Sequence, residues 1–175
     1  MLGLFTAGLL VGGVLSAVVL WLAGGLVTSL AEPVRHGLVL ALAGLGLLRD
    51  IGVVRFPLPQ NARQVPQEVL RRSITRGALQ FGFELGTGVR TYVSATTPYV
   101  LAAAVLLVTS DTGGIAVAVL AGVGFGGGRA LTPLARYVSG RQTDWDDALR
   151  SRLRVITIGG ALASVTCLTL LLLNT

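Results

Sequence analysis

The run from Gly77 to Thr109 is almost free of charge, with only Glu84 and Arg90 inside it. As one straight helix, rising about 1.5 Å per residue, it would be about 50 Å long, whereas the hydrocarbon core of a bilayer is about 30 Å thick. Helix-breaking residues stand along it: Gly82, Gly86, Gly88 and the step Thr96-Thr97-Pro98. The sequence therefore predicts a broken or re-entrant membrane helix. Helices of this kind commonly form the binding sites of carriers, because protein or a water-filled cavity must satisfy their freed backbone groups.

The composition supports a membrane environment for the whole chain. Hydrophobic residues make up 53% and charged residues 13% of the 175 positions, and the mean hydropathy is +0.77. All 14 basic side chains are arginine, and the formal net charge is +6. Because these charges flank apolar segments, we expect them to meet anionic lipid headgroups rather than nucleic acid.

The apolar segments predict an all-α, polytopic membrane protein that forms a single transmembrane domain over residues 1–175. About five spans are expected, and the third is broken or re-entrant. The predicted spans are residues 2–30, 36–54, 77–109, 113–128 and 154–173. The N-terminal segment is too long for a signal-peptide core, so it is counted as a span.

Arginines are concentrated in the two segments between spans, residues 55–76 and 129–153, and at their edges. Those expected to face lipid headgroups are Arg71, Arg72, Arg76, Arg150, Arg152 and Arg154. The positive-inside rule places both segments in the cytoplasm. This orientation predicts a multi-pass protein of the cell (inner) membrane, with a cytoplasmic N-terminus and a C-terminus outside. Docking of a soluble partner is the alternative role of these loops.

Glycine is abundant, with 24 residues, as expected where helices in lipid approach each other through small residues. The glycines assigned to helix packing are Gly82, Gly86, Gly122, Gly124 and Gly126. The stretch from Gly122 to Gly127 formally matches a dinucleotide-binding fingerprint, but it ends an apolar helix instead of following a strand. Packing is therefore the preferred interpretation, and we expect a homo- or hetero-oligomer in the membrane.

Motifs for catalysis are scarce. The single cysteine, Cys167, lies within an apolar span and is interpreted as a small core residue. The single histidine, His36, lies at a membrane edge without a clear set of carboxylate co-ligands. The sequence therefore predicts no metal, no cofactor and no enzymatic activity.

Glu84 carries the sharpest functional hypothesis, because an ionisable group inside a membrane is costly unless it is paired, protonated or hydrated. Three interpretations stay open: a structural pair with Arg90, a proton- or substrate-linked carboxylate, and a neutral or snorkelling side chain. The Thr96-Thr97-Pro98 step is either a kink satisfied by its hydroxyls or the lining of a polar cavity. The candidate substrate path is Glu84, Arg90, Thr96, Thr97, Pro98 and Tyr99.

Several short motifs resemble the second half of the cytochrome c biogenesis and thiol-disulfide interchange membrane proteins, the CcdA/DsbD type. They are Phe56-Pro57-Leu58-Pro59-Gln60, a basic linker, the run from Gly77 to Gly86, the step Thr97-Pro98-Tyr99, and the glycine-rich helix from Leu120 to Leu131. The resemblance implies a fold of two inverted three-helix repeats. In that family a cysteine in the broken first helix of each repeat carries reducing equivalents. Here the Thr-Pro-Cys step of the family reads Thr97-Pro98-Tyr99, and the first span resembles the family's second helix.

Three functions are compatible with these features. The first is translocation of a small solute or ion through a broken-helix polar cavity. The second is a non-catalytic accessory or assembly subunit of a membrane complex. The third, a transmembrane redox carrier, has the least support because it requires a thiol pair that Cys167 alone does not supply.

Overall fold

The computed structural model describes residues 1–59, 74–88, 93, 95–108, 114–140 and 142–173. Within these ranges the regular secondary structure is entirely helical, with no strand. The helices are α1 (Leu2–Gly24, followed by a 3-10 turn Gly25–Val27), α2 (Glu32–Ile51), α3 (Ile74–Gly86), α4 (Thr97–Val108), α5 (Gly114–Ser139) and α6 (Gln142–Leu173). The predicted all-α class is confirmed. The predicted break is also present, because α3 and α4 are separate helices.

Three helical stretches are long and apolar enough to cross a membrane: Leu2–Val27, Gly114–Ser139 and Thr143–Leu172. The helix α4 is apolar but short. Charged residues stand near both ends of α2, which lowers its hydropathy below that of a simple span. A membrane protein follows from these properties.

The segment over residues 129–153, predicted to connect two spans, is largely helical. The helix α5 continues to Ser139 and α6 already begins at Gln142, so most of this segment is helical. Arginine, alanine and leucine are good helix formers and extend a helix beyond its apolar part. The other predicted loop is described only at its ends, since residues 60–73 lie outside the described ranges and α3 begins at Ile74.

The helix α1 lies at the centre of the bundle, packed between α3 and α5. At these interfaces, glycines of one helix lie directly against the backbone of the other, which lets the helices approach closely. A Cβ atom on Gly82 would collide with the carbonyl oxygen of Phe5, and one on Gly86 or Gly126 with that of Leu9. A Cβ on Gly122 would meet the backbone of Val14.

Gly124 is a correction to the predicted packing set. It is exposed, and a Cβ atom there would meet no atom within 4 Å. Gly122 and Gly126 are four residues apart and share one face of α5, whereas a residue two positions away points elsewhere.

The order of contacts gives the helix directions. Gly82 meets Phe5 and Gly86 meets Leu9, while Gly24 further along α1 meets Leu106. The helix α3 therefore follows α1 in the same direction, beside its first half. The helix α4 runs antiparallel to α2, because Thr96 meets Asp50 and Leu107 meets Arg35, and its last turn lies beside the end of α1. The helix α5 runs the opposite way, because Gly122 meets Val14 and Gly126 meets Leu9.

Candidate binding site at the broken helix

The N-terminus of α4 is held by a carboxylate from α2. The backbone N–H and the hydroxyl of Thr96 both donate to Oδ2 of Asp50, at 2.9 and 2.7 Å. The carbonyl of Thr96 in turn accepts the N–H groups of Tyr99 and Val100, so Thr96 is the first residue of the α4 hydrogen-bond pattern. The Asp50 side chain is 1% exposed. A negative charge at this position is stabilised by the positive end of the helix dipole.

Arg49 completes this cluster. Its Nη1 atom lies 3.1 Å from Oδ1 of Asp50, and its Nε donates to the carbonyl of Phe56 at 3.0 Å. The guanidinium also lies 5.5 Å from the centre of the Phe56 ring. The buried carboxylate is therefore paired. The same arginine holds segment 55–59, which has no regular secondary structure, against the end of α2.

The sequence analysis did not single out this pair as a site, although both residues lie within the second predicted span, residues 36–54. The signal was available: an ionisable residue at the end of an apolar span is a functional hypothesis by default. That rule was applied to Glu84 and not to Asp50. What the sequence does not show is that Asp50 reaches a helix terminus 46 positions away.

An arginine side chain lies at the C-terminal end of each of the two helices that flank the break, α3 and α4. Nη1 of Arg129, on α5, donates to the carbonyl of Leu85 in the last turn of α3 at 2.6 Å. Its guanidinium lies 5.0 Å from the centre of the Phe125 ring. Nη1 of Arg35, on α2, donates to the carbonyl of Leu107 in the last turn of α4 at 3.2 Å. Cations are favourable at these negative ends of the helix dipoles.

The predicted path residues fall into two groups. Thr96, Thr97, Pro98 and Tyr99 lie together at the start of α4. Pro98 is in the first turn of that helix, where a missing N–H costs nothing, so it begins a helix instead of kinking one. The Tyr99 hydroxyl donates to the carbonyl of Pro59 at 2.7 Å.

Glu84 lies apart from that group. Gln80, one turn earlier on α3, donates to its Oε1 at 3.1 Å, and Glu84 is absent from the described lining of the cavity beside the break. Arg90 falls outside the described residues, as do Arg71 and Arg72, so the predicted Glu84–Arg90 pair stays a prediction.

A cavity of about 190 Å³ lies beside the break, between α1, α4 and α5. Its described lining is Gly13, Ser16, Ala17, Leu20, Thr87, Gly88, Val93, Pro98, Tyr99, Leu101, Ala102, Val105, Ala121, Gly122 and Phe125. None of these side chains is charged. The hydroxyls are already engaged: Ser16 donates to the carbonyl of Thr87, and Thr87 to that of Glu84. The described wall is therefore mainly apolar, with a few hydroxyls at its edge.

Two further cavities lie towards the end of α2. One, of about 210 Å³, is lined by Leu42, Leu45, Gly46, Phe56, Leu58, Pro59, Thr96, Tyr99 and Val100. The other, of about 490 Å³, is lined by Arg49, Asp50, Gly52, Val54, Arg55, Phe56, Pro57 and Thr157. All three cavities are partly open to the surface in the described part of the chain, and the cavity of about 490 Å³ is the most open of them.

Other predicted residues lie at the periphery. Arg76, Arg150, Arg152 and Arg154 are all exposed. Cys167 is exposed on α6 and is not the core residue that its apolar surroundings suggested, because little of that helix is covered by the rest of the bundle. Within the described ranges, no three His, Cys, Asp or Glu side chains are close enough to hold a metal ion.

Comparison with known proteins gives one similarity. The chain is 31% identical over 136 residues to methylamine utilization protein MauF of Methylorubrum extorquens, which covers 75% of this chain and 45% of that protein. The chain thus spans less than half the length of this relative. No model of a known protein family matches the chain, and no solved structure matches it significantly.

Proposed function

We propose that this chain is a membrane carrier for a small, uncharged solute, which binds in the cavity at the broken helix. The observation that carries the proposal is the break itself, where α3 ends, α4 begins, and a cavity of about 190 Å³ lies beside them. Broken helices at a cavity are the usual construction of carrier binding sites.

The charges at the helix ends favour a neutral solute over an ion. In carriers with broken helices, a free helix N-terminus attracts an anionic group, and free C-terminal carbonyls coordinate a cation. Here Asp50 accepts a backbone hydrogen bond at the N-terminus of α4. Arg129 and Arg35 donate hydrogen bonds to carbonyls at the C-termini of α3 and α4. The protein's own side chains thus fill the positions that an ionic substrate would need. The uncharged described lining of the cavity agrees with this assignment.

Transport of a neutral solute is measurable by stopped-flow light scattering of proteoliposomes exposed to gradients of glycerol, urea or acetamide. We expect volume recovery several-fold faster than in empty liposomes for at least one of these solutes. With gradients of potassium or of methylammonium, the cation of the methylamine in the relative's name, volume recovery should be no faster than in empty liposomes.

A cavity-filling variant provides the matched control. Ala121→Leu places a larger side chain in the cavity, whereas Ala116→Leu adds the same volume at an exposed position of the same helix. The first change should return the rate most of the way to that of empty liposomes, and the second should not. Equal rates with and without protein for all three neutral solutes would contradict the carrier.

We further propose five membrane crossings, in which α3 and α4 together make the third. The shared direction of α1, α3 and α4, with α2 and α5 running oppositely, supports this arrangement. Labelling tests it with Ser29→Cys or Ser139→Cys, each in a Cys167→Ser background; both serines are exposed, at opposite ends of the bundle. An impermeant maleimide should label position 29 in intact cells, and position 139 only after permeabilisation. Labelling of position 139 in intact cells would show that the chain has the opposite orientation.

An accessory subunit of a membrane complex is the second candidate. Its support is the exposed surface of α6, of whose apolar window only 6% is buried within the chain, together with a relative named for the utilization of methylamine. Purification in mild detergent separates the two functions, because an accessory subunit should co-purify with a different membrane protein in fixed ratio. A redox carrier would need a second thiol from a partner and gains no support from the exposed Cys167.

A further inference from the structure

The cavity of about 490 Å³ at the end of α2, here called the surface cavity, has more positive than negative charge in its described lining. Arg49, Asp50 and Arg55 line it, together with Thr157 from α6. The Asp50 side chain is 1% exposed and is paired with Arg49, so its charge is compensated inside the protein. Arg55 is exposed. An anion in the surface cavity would therefore meet arginine without meeting an unpaired carboxylate among the described lining residues.

A further arginine borders the surface cavity from α6. The face of α6 that carries Thr157 and Ala161 packs against α2 and α4, because Ala161 is 4% exposed and lines the same narrow crevice as Ala43 and Thr96. Arg154 precedes Thr157 by three residues, which places it one helical turn earlier on that face. It is exposed. Arg154 therefore lies at the edge of the surface cavity nearest the start of α6.

The two exposed arginines are not neutralised by a neighbour. Neither Arg55 nor Arg154 makes an ion pair or a hydrogen bond with any residue in the described part of the chain. On the same face of α6, the acidic residue before Arg154 is Asp147, two turns away. Guanidinium groups match the oxygens of a phosphate with paired N–H donors. Both side chains are thus suited to an anion of this kind.

The depth of the surface cavity in the bilayer follows from the charge pattern of α6. Residues 155–173 of this helix contain no charged side chain. They make roughly 29 Å of helix, close to the thickness of about 30 Å of a hydrocarbon core. Arg154 then lies at the boundary of the apolar span, and Thr157 lies in the first turn within it. The surface cavity is therefore at the depth of the lipid headgroups, where lipid phosphates are concentrated.

We propose that the surface cavity binds the phosphate group of an anionic phospholipid headgroup through Arg55 and Arg154. Basic pockets between membrane helices bind such headgroups in other proteins. This site is narrower than a general attraction of arginine-rich surfaces to anionic lipid, because it assigns one cavity and two of the exposed arginines. It depends on the membrane setting and is independent of the carrier function. A lipid bound here lies next to the Arg49–Asp50 pair that holds the start of α4.

Native mass spectrometry of the purified protein in detergent measures the binding directly, by titration with phosphatidylglycerol. Phosphatidylcholine with the same acyl chains is the lipid control, because a choline cation neutralises its phosphate. We expect phosphatidylglycerol to bind several-fold more tightly. Arg55→Gln and Arg154→Gln should each weaken its binding roughly fivefold, and the two together roughly 25-fold. Thermal unfolding of each variant verifies that it is folded.

A second double variant is the matched control. Arg76→Gln combined with Arg152→Gln removes the same number of positive charges at exposed positions outside the lining of the surface cavity. Arg152 is two residues from Arg154 and points to another side of α6. This variant should weaken the binding of phosphatidylglycerol less than twofold. Equal weakening by the two double variants would overturn the site, since it would show a diffuse attraction to all exposed arginines.

Soluble phosphates distinguish the source of the phosphate group. Inorganic phosphate and glycerol 3-phosphate carry this group without acyl chains, and at millimolar concentration they should not displace phosphatidylglycerol. Displacement by either would assign the surface cavity to a soluble phosphate and overturn the lipid.

The carrier function is tested separately. If proteoliposomes show no flux of a neutral solute while the double variant of Arg55 and Arg154 loses lipid binding, the lipid site stands and the carrier fails. If flux is present while that variant binds phosphatidylglycerol as the parent protein does, the carrier stands and the lipid site is rejected.

Discussion

Replacing Asp50 by alanine should destabilise the protein by about 3–5 kcal/mol, the usual result of removing one partner from a buried charge pair. The change leaves Arg49 without its carboxylate and removes the acceptor of both the N–H and the hydroxyl of Thr96. The start of α4 should fray, because its dipole then lacks a compensating charge. A large drop in the melting temperature of the purified protein in detergent is the expected result.

Two further variants give this prediction its controls. Asp147→Ala removes an exposed carboxylate from α6 and should change stability by no more than about 0.5 kcal/mol. Combining Arg49→Gln with Asp50→Asn removes both charges at once and should cost less than the two single changes added together. If Asp50→Ala melts at the temperature of the parent protein, the carboxylate does not hold α4.

Gly126→Ala should also be strongly destabilising, by about 3 kcal/mol, at the upper end of the cost of overpacking. The added Cβ atom would collide with the carbonyl oxygen of Leu9 on α1. Backbone on both sides of the contact prevents relief by a rotamer change, so α5 would have to move away from α1. Thermal unfolding in detergent measures the effect.

Gly124→Ala is the matched control on the same helix. Its Cβ atom meets no neighbour within 4 Å, so the change should be neutral or stabilise the protein by up to about 1 kcal/mol through helix propensity. Equal melting temperatures for Gly124→Ala and Gly126→Ala would show that the glycine contact between α1 and α5 is absent in the membrane protein.

The Asp50 prediction concerns how this protein satisfies a broken helix. A break creates one new positive and one new negative helix end inside the bundle. Asp50 and Arg129, from two other helices, compensate these ends. These side chains therefore occupy the described helix ends at the break, and the proposed carrier would select its solute by the shape and polarity of the neighbouring cavity.

The sequence by itself determined the all-α class, the membrane setting and the break. These depend on local quantities: the hydropathy of consecutive residues, the length of a helix against the thickness of a bilayer, and the backbone preferences of glycine and proline. The small-residue spacing of Gly122 and Gly126 also predicted their packing face, because four residues make about one helical turn. Gly124 was also predicted to pack but does not, because composition alone does not show which face of α5 meets α1.

Only the tertiary structure decided which charges matter. Glu84 drew attention because it lies in a stretch with only one other charge, whereas the residues that hold the described helix ends at the break are Asp50, near the end of α2, and Arg129, within α5. Asp50 meets Thr96 across 46 positions of sequence, and Arg129 meets Leu85 across 44. No periodicity or local motif encodes such a meeting. It follows from the glycine contacts that bring α1, α3 and α5 together and from the pairing of α2 with α4, so it exists only once the helices have packed.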